Sequence, residues 1–188
     1  MAYLREEELA LMGFRVLGRN VKVSSKASIY DCHQIEIGEN SRIDDFCVLS
    51  GKINIGKHVH LAPFCLIAGG IKGVTLEDFS GCAYGVQVFS QSDDYSGKAM
   101  TNSTIPARFR NELKKGVLIK KHCIIGAGSI IMPGVTLGEG TSVGAMSLIR
   151  KTTEEWSTYN GIPGVKIKDR RRDLLVLEKE FLESGGYE

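Results

Sequence analysis

The chain has 188 residues, with 24 Lys and Arg against 22 Asp and Glu, and a formal net charge of +2 at pH 7. That length fits one domain with a sizeable core, and so mild a charge with no basic tract through the body excludes a general nucleic-acid binder. Cys32, Cys47, Cys65, Cys82 and Cys123 form an odd, widely spaced set, which fits neither a disulfide framework nor a CxxC metal site and points to small buried residues in a reducing compartment.

The N-terminal stretch carries Glu6, Glu7 and Glu8 where a signal peptide needs positive charge and then an apolar run, and no segment is apolar for long enough to span a membrane. A soluble cytoplasmic protein is expected. Within residues 1–18 the spacing predicts a short helix over 5–12, with Leu4, Leu9 and Met12 on its buried side and Gly13 ending it.

Residues 20–155 carry a repeat of six. Aliphatic residues recur at Ile119, Ile125, Ile131, Leu137, Val143 and Ile149, and a small or β-branched residue follows four positions later at Cys123, Ser129, Val135, Thr141 and Ser147. The same phase runs earlier through Ile37, Ile43, Leu49, Ile55, Leu61 and Ile67, then Cys82 and Val88. A six-residue unit is a short strand plus a corner, and three units close a triangular coil. One coil cannot bury its inward face, but a stack shares a continuous aliphatic core. The predicted fold is therefore all-β, a parallel β-helix of hexapeptide coils. The Gly that follows the aliphatic residue in Ile125-Gly126, Leu137-Gly138 and Val143-Gly144 is expected to let the backbone turn tightly.

Residues 50–52 widen one corner, and residues 90–116 break the period entirely. So long an interruption in a compact repeat marks a functional loop. From residue 156 the pattern changes to an irregular exit through Asn160-Gly161-Ile162-Pro163. A helix is then predicted over 169–183, with Asp169 as its N-cap and Leu174, Leu177, Phe181 and Leu182 on one face. This helix could cover the end of the stack or pack on a neighbouring subunit.

The ordered series Ile125-Gly126-Ala127-Gly128-Ser129, Pro133-Gly134-Val135-Thr136-Leu137-Gly138, Val143-Gly144-Ala145-Met146-Ser147 and Asn160-Gly161-Ile162-Pro163 resembles the hexapeptide-repeat acyltransferases. Within them, Lys26-Ala27-Ser28-Ile29-Tyr30, Arg42-Ile43-Asp44-Asp45-Phe46-Cys47 and Asp93-Asp94-Tyr95-Ser96-Gly97 are most similar to bacterial enzymes that N-acylate dTDP-4-amino-4,6-dideoxyglucose. The resemblance implies a left-handed coil and a homotrimer with active sites between adjacent subunits. It also implies acyl-CoA as co-substrate and no metal. Ala127, Gly144 and Ala145 would hold the pantetheine arm, with Arg150, Lys166 and Lys168 as cations for its phosphates. The family commonly carries Arg two residues after the Pro of Gly-Ile-Pro; here that residue is Val165.

Many relatives place a general-base His in the long loop. Here the loop has none, and the four His are His33, His58, His60 and His122. A sugar hydroxyl needs a base far more than a neutral amine does, so the absence favours an amine acceptor over the alternative, O-acetylation of a galactoside or polysaccharide hydroxyl. Asp93 or Asp94 would then hydrogen-bond and orient the amine; equally, the pair could close a turn with Ser96 and Gly97. An oxyanion donor is expected from a backbone N–H near Ala83-Tyr84-Gly85. A third possibility is a non-catalytic or metal-binding β-helix using His58, His60 and His122, whose spacing does not follow that pattern.

Overall fold

The computed structural model describes residues 2–185. Each hexapeptide contributes a short strand, and three flat faces form because equivalent strands of successive coils stack in parallel. On one face Arg42–Ile43 pairs with His60–Leu61, which pairs with Gly81–Cys82, then Ile124–Ile125 and Ser142–Val143. A second face aligns Leu49, Ile67, Val88, Ile131 and Ile149 in register. A third aligns Ile55, Leu76, Ile119 and Leu137. The strands Val48–Ile55 and Leu66–Leu76 run through the corner between two faces, so the extra residues there are absorbed as extended backbone.

The inward aliphatic residues from Ile119 to Ile149 are at most 3% exposed. Each contributes roughly 1.5–3 kcal/mol when fully buried. The second inward position is small for a further reason. At several corners a carbonyl of the next coil is within reach, and a short donor satisfies it: Ser129 Oγ donates to Gly144 O at 2.9 Å, Cys123 Sγ to Gly138 O at 3.1 Å, and Cys65 Sγ to Ala83 O at 3.2 Å. Ser, Thr and Cys therefore interchange along the stack. Burial pushes the Cys82 and Cys123 thiols up to about 12, and all five cysteines are free.

The corners correct one expectation. Gly126, Gly138 and Gly144 do not make the tight turn; the left-handed residue lies two further along, at Phe46, Phe64, Gly85, Gly128 and Met146 on one corner. Asn20, Asn40, His58, Phe79, His122, Gly140 and Trp156 take the same conformation on another. The glycines after the aliphatic residues are needed for stacking instead. A Cβ on Gly126 would lie 2.5 Å from Ala145 N, and one on Gly138 2.7 Å from Glu155 N.

At the N-terminal end the predicted helix, α1, spans Glu6–Leu11 and buries Leu9 against the first coil, with Leu4 and Met12 packed beside it. The C-terminal expectation needs correction. Residues 157–169 are a hairpin, Ser157–Gly161 against Gly164–Asp169, and the helix α2 spans only Leu174–Glu183. Val165 and Ile167 alternate with Lys166 and Lys168, a period of two, and the open edge of Ser142–Val143 accepts Ser157–Gly161 as a further strand. Asp169 thus ends a strand and caps no helix. α2 leaves Leu177 and Leu182 largely exposed and presents Leu174, Glu178 and Phe181 to a cleft against the His58, Phe79 and His122 corner. There His58, Phe79 and His122 stack at 4.9 and 5.5 Å, and Phe181 meets His58 edge-on at 5.3 Å. Among the described residues no helix is long and apolar enough to cross a membrane.

Candidate active site

The long loop leaves the stack after Gln87–Phe89 and returns at Val117. Its ends zip together as Gln91–Ser92 against Leu113–Lys114 in antiparallel pairing, so it is an ordered excursion. It folds over the outward side of one face and encloses a cavity of about 560 Å³. The floor is Phe89, Ile130, Met132 and Leu148, which point outward because their neighbours Val88, Ile131 and Ile149 point in.

The two loop carboxylates separate. Asp93 lines the cavity, where its Oδ2 accepts the Asn102 N–H at 3.3 Å. Asp94 closes a turn: Oδ1 accepts the Ser96 N–H at 2.8 Å and Oδ2 faces Asn111 Nδ2 at 3.4 Å. The bonds from Ser96 hold the Asp94 carboxyl below its usual range. A third carboxylate, Glu112, also lines the cavity and bridges Lys114 at 2.7 Å and Arg110 at 2.8 Å, Lys114 foremost in holding it ionised. Sequence reading missed Glu112. The signal was the alternation of Arg110, Glu112 and Lys114, which places all three on one side of an extended segment.

A second feature runs along the corner that carries Ala127 and Ala145. In three successive coils the residue two after the inward aliphatic leaves its backbone N–H without an acceptor among the described residues. These are the N–H groups of Tyr84, Ala127 and Ala145, whereas those of Ala83 and Gly85 bond to Ile125 O and Pro63 O. Three unspent donors on three successive coils suit the amide-rich pantetheine arm of coenzyme A, and the row stops at Pro63, which has no N–H. Gly144 lies beneath this row, where a Cβ would lie 2.6 Å from Asn160 Oδ1.

The expected cations differ in availability. Arg150 and Lys168 are exposed, whereas Lys166 is held by Asp169 and Glu154, each at 2.8 Å, and these carboxylates, Asp169 first, raise its affinity for the proton. Arg170 donates to the carbonyls of His122 and Gly140 and so stitches the hairpin to the stack. The histidines do not converge. His122 is buried against Glu178 at 2.9 Å, His58 stacks on Phe79, and His60 Nε2 lies 2.8 Å from buried Asp44. Among the described residues no group of His, Cys, Asp or Glu is placed to hold a metal ion.

Known proteins agree with this architecture. Residues 116–151 match the family described as bacterial transferase hexapeptide (six repeats). The chain is 43% identical, over 98% of its length and 97% of the relative's, to a dTDP-4-amino-4,6-dideoxy-D-glucose acyltransferase of Escherichia coli. It superposes with a TM-score of 0.96 and 45% identity, over 98% of both chains, on AntD, an N-acyltransferase from Bacillus cereus crystallised with dTDP and 3-hydroxybutyryl-CoA. The polySia-specific acetyltransferase NeuO, 20% identical with a TM-score of 0.62 over 81% of this chain and 72% of its own, shares the fold. A parallel β-helix with an ordered loop over one face, matched over nearly its whole length by the Escherichia coli and Bacillus cereus relatives, makes the chain a member of the hexapeptide-repeat acyltransferases.

Proposed function

We propose that this protein transfers an acyl group from acyl-CoA to the amino group of a dTDP-4-amino-4,6-dideoxyhexose, for surface polysaccharide synthesis. The observation that carries this is likeness to an amino-sugar-nucleotide acyltransferase across 98% of the chain, joined to a loop cavity lined by Asp93 and by no histidine among its described residues. Bound acyl-CoA supplies an activated thioester. The amide N–H groups of Ala127 and Ala145 hold its pantetheine arm, Arg150 and Lys168 pair with its phosphates, and Lys166 assists once drawn from its carboxylates. The Tyr84 N–H, at the thioester end of that row, is aimed to stabilise the developing oxyanion.

Asp93 is the residue assigned to the acceptor. Its carboxylate accepts a hydrogen bond from the sugar amine and turns the nitrogen lone pair toward the carbonyl. The amine adds, the C–S bond breaks, and the departing thiolate is left to take the amine's proton, so the chain needs no strong base. Asp94 orders the turn beside Asp93. The enzyme works as a homotrimer with its sites between neighbouring β-helices, and its free cysteines support a reducing, cytoplasmic location.

The test is release of free thiol from acetyl-CoA across a panel of amino-sugar nucleotides and plain glycosides. Turnover with the amino-sugar nucleotides is expected. Turnover confined to plain glycosides would overturn the assignment. Asp93→Asn should lose at least tenfold in kcat/KM while Asp94→Asn loses less; full turnover by Asp93→Asn removes it from the mechanism.

A further inference from the structure

The corner that carries the donor row is not filled evenly. Its left-handed position holds Phe46, Phe64, Gly85, Gly128 and Met146 in successive coils. Phe46 and Phe64 stack at 5.1 Å between centroids, 16° from parallel, and the second ring is 60% exposed. At Gly85 the ladder breaks: a Cβ there would meet nothing within 4 Å. One coil further, a Cβ on Gly128 would lie 2.5 Å from Met146 Sδ, so the Met146 side chain lies over Gly128 and closes the gap from the other side. The result is a notch about one coil high, roughly 4.8 Å by strand spacing, between a phenyl ring and a thioether.

The notch opens beside Tyr84, the last coil of the donor row before Pro63 ends it. A pantetheine arm running along Ala145 and Ala127 delivers its thioester at Tyr84, and whatever the carbonyl carries beyond that point enters the space over Gly85. This step rests on the acyl-CoA reading above. We propose that the notch is the acyl pocket, that it takes short acyl groups of about two to four carbons, and that Phe64 is the wall that limits their length. Both walls are apolar, which suits an aliphatic substituent, and each methylene they bury is worth about a fourfold preference. Gly85 is required because a side chain here would occupy the pocket. It is not required by the backbone, since Phe46, Phe64 and Met146 hold the same conformation in neighbouring coils.

The experiment measures kcat/KM for acetyl-, butyryl-, hexanoyl- and octanoyl-CoA with one amino-sugar nucleotide. The wild-type protein is expected to fall at least tenfold between butyryl and hexanoyl. Phe64→Ala, which removes an exposed ring and leaves the core intact, should recover hexanoyl-CoA at least tenfold relative to acetyl-CoA. Gly85→Phe extends the existing ladder and should narrow use to acetyl-CoA. A wild-type preference for octanoyl-CoA, or the same chain-length profile in all three proteins, overturns the pocket. So does a Phe64→Ala effect confined to the KM of the sugar nucleotide, which would give the notch to the acceptor. Absence of wild-type turnover with every amino-sugar nucleotide strikes instead at the function proposed above.

Discussion

Gly126→Ala tests the claim that glycine after the inward aliphatic residue serves coil stacking. The added Cβ would sit 2.5 Å from Ala145 N and 2.8 Å from both Ala145 Cα and Gly144 C, all of them backbone. Ordinary contact begins near 3.4 Å, so the coils must part by about 0.9 Å there. Two hydrogen bonds cross that spot, Gly126 N to Val143 O and Met146 N to Ala127 O, both 2.8 Å. Stretched by that amount they leave the bonding range. Losing both costs about 2 kcal/mol and residual overpacking at least 1 more, a total of about 3 kcal/mol. For a domain of this size that lowers Tm by about 6–12 °C. The control is Gly85→Ala, where the Cβ meets open space and only the left-handed conformation, at φ +68, costs about 1 kcal/mol. Guanidinium unfolding at fixed protein concentration gives both values. If Gly126→Ala stays within 1 kcal/mol of wild type, or is no worse than Gly85→Ala, the stacking explanation is wrong.

Glu178→Gln should loosen α2. Burial disfavours the Glu178 charge, but Lys121 and His122 outweigh it and hold its carboxyl below the usual value. A folded-state value below the unfolded one stabilises above the unfolded carboxylate range, near pH 4.3, and is lost as pH falls through the folded value. The variant should therefore cost about 1–2 kcal/mol at pH 7 and show a flatter acid limb in a series of melts; an unchanged limb counts against the contact. Lys168→Ala should weaken CoA binding and reduce its salt dependence in calorimetry, more than Lys166→Ala, because Lys166 already holds Glu154 and Asp169; the reverse order would reassign the phosphate contacts. Aromatic disulfide reagents should find at most Cys32 quickly in the native protein and the other four only on unfolding, since Cys47, Cys65, Cys82 and Cys123 are buried; rapid reaction of a second thiol would contradict the packing.

The period of six residues in the sequence determined the coil, because an inward aliphatic residue at every strand has one way to be buried and that way is a stack. Ile119 through Ile149, and the small or β-branched residues Cys123 to Ser147, were legible for that reason. So was the long loop, as the place where the inward series stops. The separation of Asp93 from Asp94 was not legible, since neighbouring carboxylates differ only in which partners the folded loop brings: Asn102 to one, Ser96 and Asn111 to the other. The strand at Gly164–Asp169 was missed because its hairpin partner Ser157–Gly161 is held as a strand by the open edge of Ser142–Val143, a coil away in sequence. Only the tertiary structure put Tyr84, Ala127 and Ala145 in one line of unspent donors and left a gap over Gly85, because coils distant in sequence become neighbours across a single strand spacing.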